Sequence, residues 1–199
     1  GNLLPGQMGT LYKFRYMKTV HHLPYAKSGS NYGANLVISL GSSAIVGVVG
    51  VFGNKISGGS FSLLMLAARE NHREVVTLLL ERKARINQRT AFGDTALMLA
   101  SFKGHLDVVR LLVARGAEIQ PPGWTPLHYA ASYGHVDVMK LLIDNHAYID
   151  AESPNGSTPL MMASMYGNPQ SVKLLLDEGA DPLLKNQIGL NALQFAQRG

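Results

Sequence analysis

The pattern of apolar and polar residues along the C-terminal two thirds of the chain predicts pairs of short helices. In TPLHYAASYGH, residues 125–135, Leu127, Ala130 and Ala131 fall at i, i+3 and i+4 and form the apolar face of one short helix. Gly134 then ends this helix. A second apolar stripe follows and predicts a partner helix; it consists of Val136, Met139, Leu142 and Ile143. One such pair cannot bury its own stripe, so neighbouring pairs are expected to stack.

This helix pair is one copy of an internal repeat. The stretch TPLHYAA has the relatives SLLMLAA, TALMLAS, TPLMMAS and NALQFAQ, and the five copies start 33, 30, 33 and 33 residues apart. Two further motifs keep the same phase. One begins nine residues after the first, as in GHVDVMKLLI at 134–143, and the other closes the unit, as in GADPL at 179–183. Repeats in a fixed register predict a solenoid.

The three motifs together resemble those of the ankyrin-repeat family, whose 33-residue unit carries T-P-L-H-x-A. The resemblance covers about residues 59–199 and is to bacterial-type ankyrin-repeat proteins. It implies an all-α ankyrin-repeat solenoid of stacked helix-turn-helix units with short β-hairpin fingers. Repeats are expected at about residues 59–91, 92–121, 122–154 and 155–187, with a partial fifth at 188–199.

The polar residues in WTPLHYAASYGH are expected to be scaffold rather than a catalytic site. Thr125 lies where an N-cap residue precedes a first-turn proline. His128 is the single histidine of its column, in which the other copies carry Met or Gln. Three further histidines share a column that runs along the stack, namely His72, His105 and His135. The sequence contains no H-E-x-x-H motif, phosphate-binding loop or paired carboxylates, so we expect no catalytic residue, no metal site and no cofactor.

Composition adds two restrictions. The chain has no cysteine, which excludes a disulfide framework, a thiolate metal site and a cysteine nucleophile. The net charge of +5 lies entirely in residues 1–58, which hold five basic and no acidic side chains, whereas residues 59–199 hold 13 of each sign. A basic nucleic-acid-binding face on the repeats is therefore not expected.

Residues 1–58 form a basic, acid-free leader with an uncharged hydrophobic segment at 34–53, long enough to cross a bilayer. Three alternatives are open for it: an export signal or membrane anchor, a disordered or artefactual leader, and an added folded cap. If residues 17–59 are a signal, the protein is exported, periplasmic or membrane-anchored, and otherwise it is cytoplasmic. Because the chain begins at Gly1 and stops within a helical pattern, we expect a fragment of a longer protein.

Two departures from the repeat bear on the structure. The connection before Trp124 is three residues short, and Pro121 and Pro122 stiffen what remains. We expect a truncated finger there, which leaves a notch in the binding groove with Trp124 at its edge. Lys83 and His146 occupy the position at which other copies have glycine. Either these residues adopt left-handed backbone or their helices end in a different way, and we expect the second.

The hexapeptide SPNGST, residues 153–158, contains a formal glycosylation acceptor at Asn155. Asn-Gly is also the strongest short signal for a hairpin turn. Its position at a finger tip favours the turn.

The resemblance also implies where a partner would lie: on the concave face, formed by the finger tips and the exposed side of each first helix. The columns expected there lie just before each threonine position and just before each glycine that follows a first helix. Aromatic and methionine residues are usual interface anchors, and those expected to line the surface are Phe102, Trp124, Tyr133, Met165 and Tyr166. Arg69, Lys103 and Asp94 are expected to form a polar rim. The alternative is that the aromatic residues pack between repeats as a satellite core.

The sequence thus predicts a non-catalytic module that binds another protein through the concave face. The alternative is an exported or membrane-anchored accessory or effector protein that acts on a companion enzyme or a host protein. A membrane contact is expected only through residues 34–53, and no nucleic acid is expected as a partner.

Overall fold

The computed structural model describes residues 62–166 and 168–199, which all belong to the second of the two units of the chain, Phe61–Gly199. The helices of this part are α1 Leu63–Arg69, α2 Arg73–Glu81, α3 Ala96–Lys103, α4 Leu106–Ala114, α5 Pro126–Tyr133, α6 Val136–Asp144, α7 Pro159–Met165, α8 Pro169–Asp177 and α9 Ala192–Ala196. The described residues contain no strand. The expectations for residues 1–58 lie outside the described residues.

The helices form a stack of helix-turn-helix units. The first helices α1, α3, α5, α7 and α9 pack against one another in this order, and each of the first four contacts the second helix of its own unit. The second helices α2, α4, α6 and α8 contact their neighbours less extensively. Fully buried alanines line the first helices and let them approach closely; they are Ala68, Ala100, Ala131 and Ala163. The all-α solenoid expected from the sequence is confirmed.

The first helices begin in the same way. Their N-cap side chains accept a hydrogen bond from the backbone N–H three residues on, and these N-caps are Ser62, Thr95, Thr125, Thr158 and Asn191. In four copies the side chain three residues on accepts a bond back from the N-cap N–H; these acceptors are Met98, His128, Met161 and Gln194. The column thus requires an acceptor of suitable reach, which explains why histidine, methionine and glutamine share it.

Three of the connections between units form the same finger. The N–H of Thr90 donates to the carbonyl of Asp94 and the N–H of Gly93 donates to the carbonyl of Thr90, and Ser153–Ser157 and Asn186–Leu190 repeat both bonds. The fourth residue of each finger is a left-handed glycine. A turn followed by such a glycine is typical of a three-residue hairpin loop. The expected fingers are therefore present as turns, but within the described residues they contain no β-strand.

The finger between Gln120 and Trp124 is shorter, and these residues make neither of the two backbone bonds. The truncation expected from the sequence is therefore present. The truncation leaves one polar contact between units intact: Gln120 Oε1 accepts a hydrogen bond from the backbone N–H of Tyr148 at 3.1 Å. Equivalent bonds join Asn87 to Glu118 and Asp150 to Asp181. Sequence reasoning missed these contacts, although the three polar side chains occupy one register position in the third motif.

Lys83 and His146 adopt left-handed backbone, with φ of 61° and 67°. The expectation that these helix ends close differently is therefore wrong. The N–H groups of Lys83 and Ala84 bond to the carbonyls of Leu80 and Leu79, and the same pair of bonds closes α4 at Gly116. Because this cap needs a left-handed residue, the backbone keeps it even where the side chain is not hydrogen.

Replacing Lys83 or His146 with glycine is expected to raise the free energy of unfolding by up to about 1 kcal/mol each. Glycine removes a left-handed penalty of about 1–2 kcal/mol, part of which is offset by the greater entropy of the unfolded chain. Both side chains are exposed, so little packing is lost. Urea unfolding measures the change, with Gly116→Ala as the converse variant that should destabilise. A lower stability for both glycine variants would contradict this account.

Candidate partner-binding surface

Three residues of the expected binding site are buried. Phe102, Trp124 and Asp94 have exposed fractions of 6%, 8% and 4%. Trp124 packs edge-on against His128 and Tyr129, with ring centroids 5.3 and 6.4 Å apart. The expected exposure of these three residues is therefore wrong, because each turns its side chain towards a neighbouring residue instead of solvent. Trp124 does not stand open at the edge of a notch.

Asp94 is buried because its carboxylate is hydrogen-bonded. One oxygen accepts from the Tyr129 hydroxyl at 2.6 Å, and the other accepts from the Thr90 hydroxyl at 3.4 Å. The Asp94–Tyr129 bond joins a finger to the first helix of the following unit. Sequence reasoning placed Asp94 on a rim and missed Tyr129. The only signal was a hydroxyl-bearing residue in a column whose other members are Leu66, Leu99, Met162 and Phe195.

His128 is fully buried, and both of its ring nitrogens are hydrogen-bonded. Nε2 lies 2.9 Å from the carbonyl oxygen of Ser157 in the following unit, and a carbonyl can only accept, so Nε2 carries the proton. Nδ1 accepts from the N–H of Thr125 at 3.2 Å. An imidazole with both nitrogens engaged inside the core has no free lone pair for general-base catalysis. Its arrangement supports a structural role.

The exposed part of the expected site is a row of side chains at the C-terminal ends of the first helices. Tyr133 and Tyr166 have exposed fractions of 38% and 42%, and their rings lie nearly parallel with centroids 6.2 Å apart. Phe102 meets the Tyr133 ring edge-on at 4.5 Å, and the Lys103 ammonium lies 5.5 Å from the Phe102 centroid. We name the row the helix-end surface; it consists of Arg69, Lys103, Tyr133, Met165 and Tyr166.

The tyrosine pair is only partly solvated. Burial raises the pKa of Tyr133, and burial together with the nearby Tyr133 raises the pKa of Tyr166. Both hydroxyls therefore remain neutral and can donate a hydrogen bond. Lys103 and Met165 flank the pair as half-buried side chains, and the charge of Arg69 is balanced by Glu70 at 2.7 Å. The surface thus offers aromatic area with polar tips and one cation without a carboxylate within ion-pair distance among the described residues.

His135 lies directly before the start of the next helix, α6, and supports the helix-end surface. Its Nε2 donates to the carbonyl of Phe102 at 2.9 Å, and its ring lies nearly parallel to that of Tyr133 at 6.5 Å. Gly104 is required beneath it, because a Cβ there would collide with the His135 ring and the backbone is left-handed with φ 74°. His105 makes the same bond to the carbonyl of Arg69, so these two histidines order the ends of α1 and α3.

Stability is expected to fall as the pH drops below about 6.5, the ordinary pKa of histidine. Burial lowers the pKa of His135, its bond to the Phe102 carbonyl opposes this, and the nearby His105 lowers the pKa further. The neutral form is thus favoured on folding. The stability that neutral His135 contributes is complete above the pKa of this side chain in the unfolded chain. It is lost as the pH falls through the pKa of the same side chain in the folded protein. Urea unfolding from pH about 7 to about 5 measures the effect.

The variant His135→Asn removes the titrating group. Asparagine already occupies the same column of the repeat at Asn168. Its stability should vary less with pH than that of the original chain. Identical pH dependence in the two proteins would assign the titration to another residue.

The described ranges also limit other kinds of site. Within residues 62–166 and 168–199, no three His, Asp or Glu side chains are placed together in a way that could hold a metal ion. None of the helices in the same ranges has both the length and the apolar character needed to span a membrane.

Comparison with known proteins identifies the repeat. The family model for ankyrin repeats matches three overlapping stretches, residues 49–122, 64–153 and 120–186, which together cover more than half of the chain. No curated protein matches the chain. Ankyrin repeats generally serve as protein–protein interaction modules and are typically non-catalytic. The chain belongs to the ankyrin-repeat family.

Proposed function

We propose that the repeats bind a partner protein through the helix-end surface. The observation that carries the proposal is the exposed, nearly parallel pair of Tyr133 and Tyr166. The fold does not require aromatic residues there, because the same column holds Glu70 and Lys103 in the first two units. Tyrosines that packing does not demand are typical of binding hot spots, since they bring large apolar area and a polar tip with little conformational entropy.

The structure divides the residues expected in the site into two groups. Tyr133, Tyr166 and Met165 offer contact area, and Lys103 and Arg69 lie at its polar edge. Phe102, Trp124 and Asp94 are buried, and we assign them a supporting role. Phe102 contributes most directly, because its edge contact at 4.5 Å fixes the position of the Tyr133 ring.

The double variant Tyr133→Ala/Tyr166→Ala is expected to weaken partner binding by about 2 kcal/mol, or about thirtyfold, because it removes both anchors. The partner would be captured from the source cells with the chain of residues 1–199, identified by mass spectrometry and titrated against purified variants. Circular dichroism and thermal unfolding establish that each variant is folded.

Tyr148→Ala is the matched control, because Tyr148 is also an exposed tyrosine, with an exposed fraction of 61%, but lies in the connection after α6. Its affinity should equal that of the original chain. Unchanged affinity in the double variant would overturn the assignment of the site. Loss of affinity in Tyr148→Ala as well would show that the effect is not specific to the helix-end surface.

A further inference from the structure

The finger Ser153–Ser157 contains the one Asn-Gly pair of the sequence. Asn155 Oδ1 accepts hydrogen bonds from the Ser153 hydroxyl at 2.5 Å and from the Ser157 N–H at 3.3 Å. The N–H of Gly156 donates to the Ser153 carbonyl at 2.8 Å. The finger therefore engages both groups through which an Asn-Gly pair reacts: the carbonyl of the side-chain amide and the following backbone nitrogen.

The reaction open to this pair is deamidation. The Gly156 nitrogen loses its proton to hydroxide and attacks the amide carbon of the Asn155 side chain, which forms a new N–C bond. The side-chain amide nitrogen takes up a proton from water and leaves as ammonia when its bond to that carbon breaks. Water then opens the five-membered succinimide at either carbonyl and gives aspartate or isoaspartate. No oxidant or reductant is needed. Glycine favours the attack because it has no Cβ beside the nitrogen.

The same finger positions the amide and obstructs the attack. The two donors on Asn155 Oδ1 stabilise the negative charge that develops on this oxygen. The Gly156 nitrogen must, however, give up its bond to Ser153 and swing towards the side chain. Because the peptide unit is planar, the Asn155 carbonyl has to move with that nitrogen.

The following finger, Asn186–Leu190, holds this peptide in place. The Gln187 N–H donates to the Asn155 carbonyl at 3.1 Å, and Gln187 Nε2 donates to the Pro154 carbonyl at 2.9 Å. Space is also limited: a Cβ on Gly156 would lie 3.2 Å from the Gln187 nitrogen and 3.3 Å from the Asn186 Cα. Rotation of the Asn155–Gly156 peptide therefore requires the finger Asn186–Leu190 to move away.

We propose that Asn155–Gly156 is a deamidation site that is held closed by docking of the finger Asn186–Leu190. When this finger opens, the peptide turns, and ammonia is lost. Isoaspartate adds one carbon to the backbone of the turn, and either product places a carboxylate at the finger tip. The lengthened turn no longer aligns its carbonyl with the Gln187 N–H. The modification thus fixes the open state of the finger.

The test compares deamidation in the native protein, in the protein unfolded in urea, and in the native Asn186→Ala variant. Asn186 is buried, and its Oδ1 accepts from the N–H groups of Ile188 and Leu190, so its removal loosens the finger. Each protein is kept at mildly alkaline pH, and peptide mapping by mass spectrometry follows aspartate and isoaspartate at residue 155. We expect the native protein to react at least about tenfold more slowly than the unfolded protein, and Asn186→Ala to fall between them.

Two further variants make the result specific. Gln187→Ala removes only the bond to the Pro154 carbonyl and should give a smaller increase than Asn186→Ala. Asn87→Ala removes an Asn that joins other units, through Glu118, and should leave the rate at Asn155 unchanged. Equal rates in the native and unfolded proteins would overturn the proposal, and so would native rates in both Asn186→Ala and Gln187→Ala. An Asn186→Ala variant that unfolds leaves Gln187→Ala to decide between these outcomes.

Discussion

Replacing His128 with alanine is expected to lower the free energy of unfolding by about 4 kcal/mol. The substitution empties the volume of a fully buried ring and removes its bond to the Ser157 carbonyl, which crosses from one unit to the next. It also removes the acceptor for the Thr125 N–H at the start of α5. Urea unfolding followed by circular dichroism measures the change.

The matched variant is His128→Met, which places in this column the residue that other copies carry. Methionine fills the space and offers a weak sulfur acceptor to the Thr125 N–H, as Met98 and Met161 do in their own units. The bond to Ser157 and the 2.9 Å bond between the Thr125 hydroxyl and Nδ1 are lost, and the Ser157 carbonyl keeps the N–H of Ser153. A cost of about 1 kcal/mol is therefore expected. If His128→Met lowers the free energy of unfolding as much as His128→Ala does, then filling the core and accepting the Thr125 N–H are not the contributions that His128 makes to stability.

The second large effect is expected for Tyr129→Phe, which should cost about 2 kcal/mol. The change removes one oxygen, and with it the 2.6 Å bond to the buried carboxylate of Asp94. Hydrogen bonds to charged groups are stronger than neutral ones, and the burial of Asp94 limits the water that could replace the hydroxyl. Thermal and urea unfolding measure the loss, and Tyr148→Phe is the control at an exposed hydroxyl.

A double-mutant cycle separates this bond from general loosening. Asp94→Asn should cost less in the Tyr129→Phe background than in the original protein, because the two residues share the contact. Additive effects would show that the two side chains contribute independently.

The stack itself was predictable from the sequence because its determinants are local and repeated. Alanines at fixed spacing, threonine before proline and glycine after the first helix each act within a few residues. Each copy carries some of these signals in the same register, and together they specify one fold. The truncated finger was equally visible, since it required only a count of residues between two motifs.

Burial was harder to predict, because it depends on what a neighbouring unit places above a residue. Asp94 precedes a threonine in a column that was expected to be exposed, yet a hydroxyl 35 positions away in sequence reaches it. Trp124 is covered within its own unit, by ring contacts with His128 and Tyr129 that its position before Thr125 does not reveal. Lys83 and His146 show a different effect: the backbone bonds of the cap decide the conformation, and the side chain adapts.

The short finger before Trp124 shows that the length of a finger and the alignment of the stack are separate properties of this protein. Asn87, Gln120 and Asp150 each reach the next unit from the base of a connection, before the finger begins. Residues can thus be lost from the finger without shifting the units against one another. A protein built in this way can change the outline it presents to other molecules, one loop at a time, while every unit stays in step with its neighbours.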